Sequence, residues 1–355
     1  MRRIFVIVLL CFGALVSCFA QRWGIVNFSV AYLRAAPDYE SALETQLLMG
    51  NVVQVLERDG YWLKVASSDP QYEAWVTELA VVPKNDKEMM GYITSPTLYC
   101  TADYSHVYSE PSLNSLPLSE LVLGDVLIQG VTERGKAIRS GQFLKAVLHD
   151  GREGWVPKKD VIAREGSVPP MLRSAAAPVG LRQAPVGPRS MTGELPAPVK
   201  ELPAPESFSV SLAGQASPSD FVANAQRFIG IPYLWGGNTI KGLDCSGLVW
   251  MAGFLSEVQF PRNVSQQARL GVEVPLYAAD AAEDALPNFD VLQPGDLIFF
   301  GTPASDGTPA RYSHVAISLG GDRFVHASQV VRYGSLSPSS PDYYDRRPLM
   351  ARRVL

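Results

Sequence analysis

A sulfur nucleophile followed by two imidazoles is the set in this chain that could do chemistry. Cys245 lies within Gly242-Leu243-Asp244-Cys245-Ser246-Gly247-Leu248-Val249, and His314 and His326 come later. Gly236, Gly237 and Gly242 punctuate a loop, Asp244 is a suitable N-cap, and Val249, Ala252 and Leu255 recur at helical spacing. Cys245 is therefore expected in the first turn of a helix. There the unpaired N–H groups and the positive end of the helix dipole favour thiolate over thiol. A lone cysteine is more often a small buried apolar side chain, but the polar neighbours Asp244 and Ser246 argue against that here.

A thiol also needs a base. Tyr312 to Ser328 reads as a hairpin turning near Gly320 and Gly321, with one histidine on each arm in a chain that has only 4. A loop of about three or five residues places His314 and His326 on one face as cross-strand or diagonal neighbours, whereas a loop of about two places them on opposite faces. Register therefore decides the chemistry.

These residues resemble the NlpC-type family of bacterial cell-wall cysteine peptidases, which have a papain-like fold. The motifs occur in the family's order: Pro232-Tyr233-Leu234-Trp235-Gly236-Gly237, Asp244-Cys245-Ser246-Gly247, Gly295-Asp296-Leu297-Ile298-Phe299-Phe300, Ser313-His314-Val315-Ala316-Ile317 and His326-Ala327-Ser328. The resemblance implies that Cys245 is the nucleophile, His314 the general base and His326 the group that orients it. It also implies an oxyanion hole formed by the Cys245 N–H and the Tyr233 hydroxyl. Trp235, Asp244, Ser246 and Arg262 are the further substrate contacts. No metal or cofactor is called for.

The substrate implied is the peptidoglycan stem peptide, cut between γ-D-glutamate and the diamino acid. Relatives with two SH3-like domains often act on fragments with a free N-terminal L-alanine, held by an acid beside the arginine of the Pro-Arg segment. Here Asn263 follows Arg262, and Glu78 of the first SH3-like region is the candidate acid instead. Two other readings stay open. One is a wall-binding adaptor with a vestigial catalytic fold, and the other is an acyltransferase that hands the thioester to an amine or alcohol.

The elements that position this set begin at Ser217-Pro218-Ser219-Asp220, a helix start with proline at its first position, followed by Phe221, Ala225 and Phe228 on one face and Gly230 as terminator. Helices first and consecutive strands after, near Leu297, Val315, Arg323 and Met350, indicate an α+β domain over 217–355. Upstream, residues 21–84 and 92–163 each read as a small all-β barrel resembling bacterial SH3-like domains. Gly50 to Trp75 and Gly124 to Trp155 mark corresponding points, and Tyr92 to Cys100 is expected to be strand. Cys100 is read as buried.

Between barrels and catalytic domain, 164–216 is a Pro/Ala-rich linker with 9 prolines from Pro169 to Pro205. At the other end of the chain, Arg2 and Arg3 before the apolar run Ile4 to Val16 make residues 1–20 an export signal. Cys18-Phe19-Ala20 before Gln21 suits an ordinary signal peptidase, whereas Leu15-Val16-Ser17-Cys18 looks like a lipobox, which makes lipidated Cys18 a candidate membrane attachment in the cell envelope. The 355 residues are 47% hydrophobic and 19% charged, with net charge −4, which gives no electrostatic case for a nucleic-acid partner.

Overall fold

Alternating apolar residues in short segments set off by glycine turns produce two sheets with one plan. The computed structural model describes residues 23–68, 70–164, 217–278, 285–305 and 308–355. The first sheet comprises β1 (Trp23–Val26), β2 (Val30–Arg34), β3 (Leu43–Leu48), β4 (Val52–Asp59), β5 (Trp62–Ser68), β6 (Gln71–Thr77) and β7 (Val81–Lys84), in the spatial order β3-β2-β6-β5-β4-β1-β7. The second comprises β8 (Thr97–Cys100), β9 (Tyr104–Tyr108), β10 (Pro117–Val122), β11 (Val126–Gln129), β12 (Arg139–Ser140), β13 (Phe143–Val147), β14 (Glu153–Pro157) and β15 (Val161–Arg164). Its order is β10-β9-β14-β13-β11-β8-β15, with β12 paired to β13. Leaving β12 aside, this is the first order repeated strand for strand.

The two copies match down to single hydrogen bonds. The Leu48 N–H donates to Asn51 Oδ1 at 2.7 Å, and the Val122 N–H donates to Asp125 Oδ2 at 2.8 Å. Before each acceptor stands a glycine in the left-handed region, Gly50 at φ 90° and Gly124 at φ 96°. Close approach adds to the requirement at Gly124. A Cβ there would come within 2.8 Å of Leu48 in the first copy and 3.0 Å of Phe254 in the catalytic domain. That glycine marks the point where three units meet.

Tyr92 to Cys100 is not one strand. Asn85 caps helix α1 (Asp86–Thr94) through a reciprocal capping box with Glu88, and Met89 and Tyr92 bury its inner face. Only Thr97–Cys100 is extended, so the expected boundary at 92 falls inside a helix. The export signal and lipobox lie outside the described residues, as does the linker beyond Arg164, which itself ends β15.

The catalytic part opens with α2 (Pro218–Gln226). Ser217 accepts the Asp220 N–H at 3.1 Å, and proline occupies the first turn. A short ribbon, β16 (Asn238–Thr239) and β17 (Gly242–Leu243), then feeds α3 (Cys245–Leu255). This helix is buried from Cys245 through Phe254, as a helix apolar on every face must be. After α4 (Val264–Gln267) come β18 (Val272–Val274), β19 (Pro294–Thr302), β20 (Arg311–Gly320), β21 (Arg323–Ser328), β22 (Val330–Ser335) and β23 (Met350–Arg353), ordered β18-β23-β19-β20-β21-β22. Leu297, Phe299, Val315 and Ile317 face the helices, while Ile298, Phe300 and Ala316 face a second layer. The fold is α+β, as expected.

One continuous apolar core joins the three parts. It contains Ile25 and Leu48 of the first sheet, Tyr99 and Val126 of the second, and Phe221, Trp250 and Phe254 of the catalytic helices. Phe254 stacks on Tyr99 at 6.0 Å between ring centres.

Candidate active site

Cys245 is the first residue of α3. The Asp244 carboxylate accepts the Gly247 N–H at 2.7 Å and the Gly236 N–H at 3.0 Å, so it caps the helix and ties down the preceding loop. Arg262 grips the same carboxylate with both terminal nitrogens, at 2.9 and 2.7 Å, and donates to Ser246 Oγ at 3.0 Å and to Thr45 Oγ1 at 3.0 Å. Arg262 is only 1% exposed. Burial works against its charge, but the Asp244 carboxylate outweighs that and raises its pKa above the ordinary value. Asp244, Ser246 and Arg262, expected as substrate contacts, border the cleft with their polar atoms already committed to one another. Their work is to hold the start of α3.

The glycines of the preceding loop are needed for close approach. Gly236 has φ 74°, and a Cβ on it would lie 2.7 Å from the Leu43 carbonyl oxygen of β3. A Cβ on Gly247 would lie 2.0 Å from the Gly237 carbonyl oxygen.

The hairpin of β20 and β21 turns through two residues, Gly321 and Asp322, the loop length expected to put the histidines on opposite faces. They nevertheless share one. Ser318 pairs with Phe324 and Gly320 with Arg323, so Leu319 is an extra bulged residue that shifts the register. With that shift His326 falls opposite Ala316, and His314, two residues before, becomes its diagonal neighbour. His314 Nε2 and His326 Nδ1 are 2.9 Å apart.

For His314 Nδ1 to take the thiol proton, Nε2 must carry hydrogen and donate it to His326 Nδ1. His326 would then hold its own hydrogen on Nε2, which is buried with no hydrogen-bond partner among the described residues. The rings of Tyr344 and Phe324 stand nearly perpendicular to it, with centres 4.8 and 5.0 Å away. No sequence signal singled out Tyr344.

Burial governs the charges of this group. The Cys245 thiol is 6% exposed and its pKa is pushed up to about 12 by burial and then by the Asp244 charge, although the N–H groups of Val315 and Ser246 pull it down. His314 is lowered to about 4 by burial, with the Arg346 charge adding to it. His326 falls to about 3, again from burial first. Burial therefore opposes the thiolate that the helix start favours. A helix start is worth about 0.3–1 kcal/mol to an anion, less than the cost of burying one unpaired. Both shifts run toward a neutral thiol and a neutral imidazole. Iodoacetamide should accordingly modify Cys245 slowly at neutral pH, with a rate that keeps climbing as pH rises past 8. Peptide mapping by mass spectrometry checks this, and a rate already flat above pH 5 would mean a preformed ion pair.

A cleft with a cavity volume of about 780 Å³ runs past Cys245. Tyr233 and Trp235 line it, Trp235 being 69% exposed and offering a flat apolar face. Burial raises the Tyr233 pKa to about 12, with Cys245 and Asp244 adding to it, so its hydroxyl stays protonated and able to donate. Glu78 is not in this cleft; it is ion-paired with Arg58 on the outside of the first sheet. Glu44 and Tyr72 take its place. Both line the cleft from the first sheet, and the Tyr72 hydroxyl donates to Glu44 Oε2 at 2.6 Å. Glu44 comes from the edge strand β3 and Tyr72 from β6, and β3 is tied to the loop before Cys245. The Gln46 N–H donates to Asn238 Oδ1 at 2.9 Å and the Asn238 N–H donates to Gln46 Oε1 at 3.0 Å.

Residues 230–353 match the NlpC/P60 family, and residues 33–81 match the bacterial dipeptidyl-peptidase Sh3 domain. The catalytic part is an NlpC/P60 domain. Over 328 residues the chain is 24% identical to the gamma-D-glutamyl-L-lysine dipeptidyl-peptidase of Bacillus cereus, covering 88% of this chain and 75% of that one. A protein of the same name from Bacillus subtilis is 28% identical over 134 residues, 38% of this chain and 40% of that one. Among solved structures, an NlpC/P60 family protein from Bacillus cereus superposes with TM-score 0.61 at 21% identity, covering 94% of this chain and 99% of that one, which establishes the common fold. The NlpC/P60 domain here thus follows a matched Sh3 domain and a second sheet of the same strand order.

Proposed function

We propose that this protein is a cysteine peptidase that hydrolyses peptidoglycan stem peptides at the γ-D-glutamyl bond to the diamino acid. The observation that carries the reading is the thiol at the start of α3, set against the strand of a hydrogen-bonded histidine pair in an NlpC/P60 domain. The named activity of the Bacillus relatives supports it.

In the proposed reaction Cys245 Sγ attacks the amide carbon as His314 Nδ1 takes the thiol proton. His326 accepts from Nε2 and keeps Nδ1 directed at the reaction. The tetrahedral oxyanion is met by the Cys245 N–H, which no intrahelical carbonyl can take, and by the Tyr233 hydroxyl. The C–N bond breaks as the same proton passes from Nδ1 to the leaving amine. Water then attacks the thioester, giving its proton to His314, and the thiol is restored when that proton returns to sulfur.

Glu44 and Tyr72 close one end of the cleft with an acid and a phenol, a pair suited to an ammonium group. This supports a substrate with a free amino terminus, the role once expected of Glu78. The test is turnover of L-Ala-γ-D-Glu-diamino-acid peptides with free and acetylated amino termini. The free peptide should be cut and the acetylated one poorly. Glu44→Gln should narrow that gap by about tenfold, the worth of one hydrogen bond to a charged group. No turnover of either peptide would reject the reading, and an unchanged gap in the variant would reject Glu44 as the amine's partner. Export to the envelope is part of the same proposal, supported by Arg2, Arg3 and the apolar run after them, with Cys18 as lipid acceptor.

A further inference from the structure

His326 is engaged at one nitrogen only. Its Nδ1 meets His314 Nε2 at 2.9 Å, while its Nε2 is buried with no hydrogen-bond partner among the described residues. The tautomer and orientation of an imidazole are ordinarily set by the bond that its second nitrogen makes. Here packing has to supply that constraint. Phe300 of β19 pairs opposite His314 of β20, and Phe324 stands two residues before His326 on β21. The four rings close a square on one face of the sheet. Their centres lie 5.7 Å apart from Phe300 to His314, 5.1 Å from His314 to His326, 5.0 Å from His326 to Phe324 and 6.1 Å from Phe324 back to Phe300.

Tyr344 covers the square. Its ring centre is 4.8 Å from that of His326, 5.1 Å from Phe300, 5.6 Å from His314 and 5.9 Å from Phe324. It comes from the segment between β22 and β23, and the backbone fixes its place. The Tyr344 N–H donates to the Ser335 carbonyl oxygen at 2.8 Å, the Ser335 N–H donates to the Asp342 carbonyl oxygen at 3.0 Å, and the Asp342 carboxylate holds Arg323 at 2.7 Å. His326 is fully buried and Tyr344 only half-buried, so the tyrosine stands between the histidine pair and solvent. It does not line the cleft. The charged and titratable groups facing the pair are Arg346, whose guanidinium lies 5.9 Å from the Tyr344 ring centre, Arg332 opposite His326 on β22, Asp244 and the Cys245 thiol.

We infer that Tyr344 is the positioning residue of the histidine pair. Its ring holds the His326 ring in place of the acceptor that Nε2 lacks, and through His326 it keeps His314 Nδ1 turned to the thiol. This rests on the hydrolysis proposed above, in which His314 takes the thiol proton. The same ring keeps water from the pair, and burial is the largest cause that lowers the His314 pKa. Opening the square should therefore raise that pKa toward its ordinary value. The acid limb of kcat/KM, which needs His314 neutral in the free enzyme, should then move to higher pH.

The experiment measures kcat, KM and the pH profile of kcat/KM for the full-length protein on L-Ala-γ-D-Glu-diamino-acid peptides with a free amino terminus. Tyr344→Phe, which keeps the ring, should stay within about twofold of the parent. Tyr344→Leu should lower kcat by about tenfold or more, toward the roughly 10²-fold cost of a misplacement of about 1 Å, with KM little changed. Its acid limb should lie at higher pH. Tyr344→Met guards against a folding defect in the leucine variant and should behave like it. Arg346→Gln removes the charge and keeps the ring, so its acid limb should move less. Titration of the histidine rings by NMR in full-length Cys245→Ala, with and without Tyr344→Leu, reads the His314 shift independently of turnover. Phenylalanine and leucine variants alike in kcat, a His314 titration unmoved by Tyr344→Leu, or an acid limb that moves as far in Arg346→Gln overturns the positioning role and leaves the hydrolysis standing. A parent protein that cuts no peptide overturns the hydrolysis reading and this role with it.

Discussion

Replacing Cys245 with alanine should abolish peptide hydrolysis, a fall on the order of 10⁴-fold or more, as when a nucleophile is removed from a set of groups that act together. The chain should still fold. Cys245 caps nothing with its side chain; the cap is Asp244, and losing one buried sulfur leaves a void far smaller than those that cost several kcal/mol. Cys245→Ser should be nearly as inactive. A hydroxyl facing a neutral imidazole whose pKa is lowered to about 4 meets too weak a base to be activated. Turnover and thermal melting of both variants check this. Activity surviving in either would rule out the thiol as nucleophile.

The second large effect is expected at Arg262→Met. It leaves the Asp244 carboxylate buried without its cation, and breaking one partner out of a buried pair costs about 3–5 kcal/mol. Activity should fall as well, because the same carboxylate fixes the first turn that carries Cys245. The sign of the effect can be tested by adding Asp244→Asn, which removes the stranded charge and keeps a cap. The double variant should be more stable than Arg262→Met alone. Urea unfolding and kcat/KM of the three proteins decide it, and Arg262→Met as stable as the parent would show that the pair holds nothing.

The cysteine helix, the sheet that follows it and the pairing of two β modules were legible because each depends on neighbours close in sequence. Asp244 caps three residues ahead, and Val315 and Ile317 alternate inward along one strand. The histidine pair was legible only as a condition. Its outcome depended on one bulged residue, Leu319, and nothing local requires a bulge there. Tyr92 was misread as strand because the capping box beginning at Asn85 lies outside the window that its apolar neighbours dominate.

Glu44 was out of reach for a different reason. It looks like any acid on a half-buried strand until β3 meets Asn238, some 192 positions later in the chain. Glu78 looked equivalent, but Arg58 holds it on another side of the same sheet. The burial that opposes the thiolate was out of reach as well, because only the assembled core supplies it.

The clasp between Gln46 and Asn238 has a consequence for length. Glu44 lies two residues before Gln46, hence one pleat away on the same face of β3. Asn238 stands seven residues before Cys245 at the other end of a short ribbon. The acid and the thiol are therefore spaced by a strand and a short ribbon joined through two hydrogen bonds. A cleft built this way is a gauge. With Glu44 as the proposed partner of the amine, it would count from the amino terminus of its guest to the bond it reaches, and a peptide one residue longer would present the wrong bond to the sulfur.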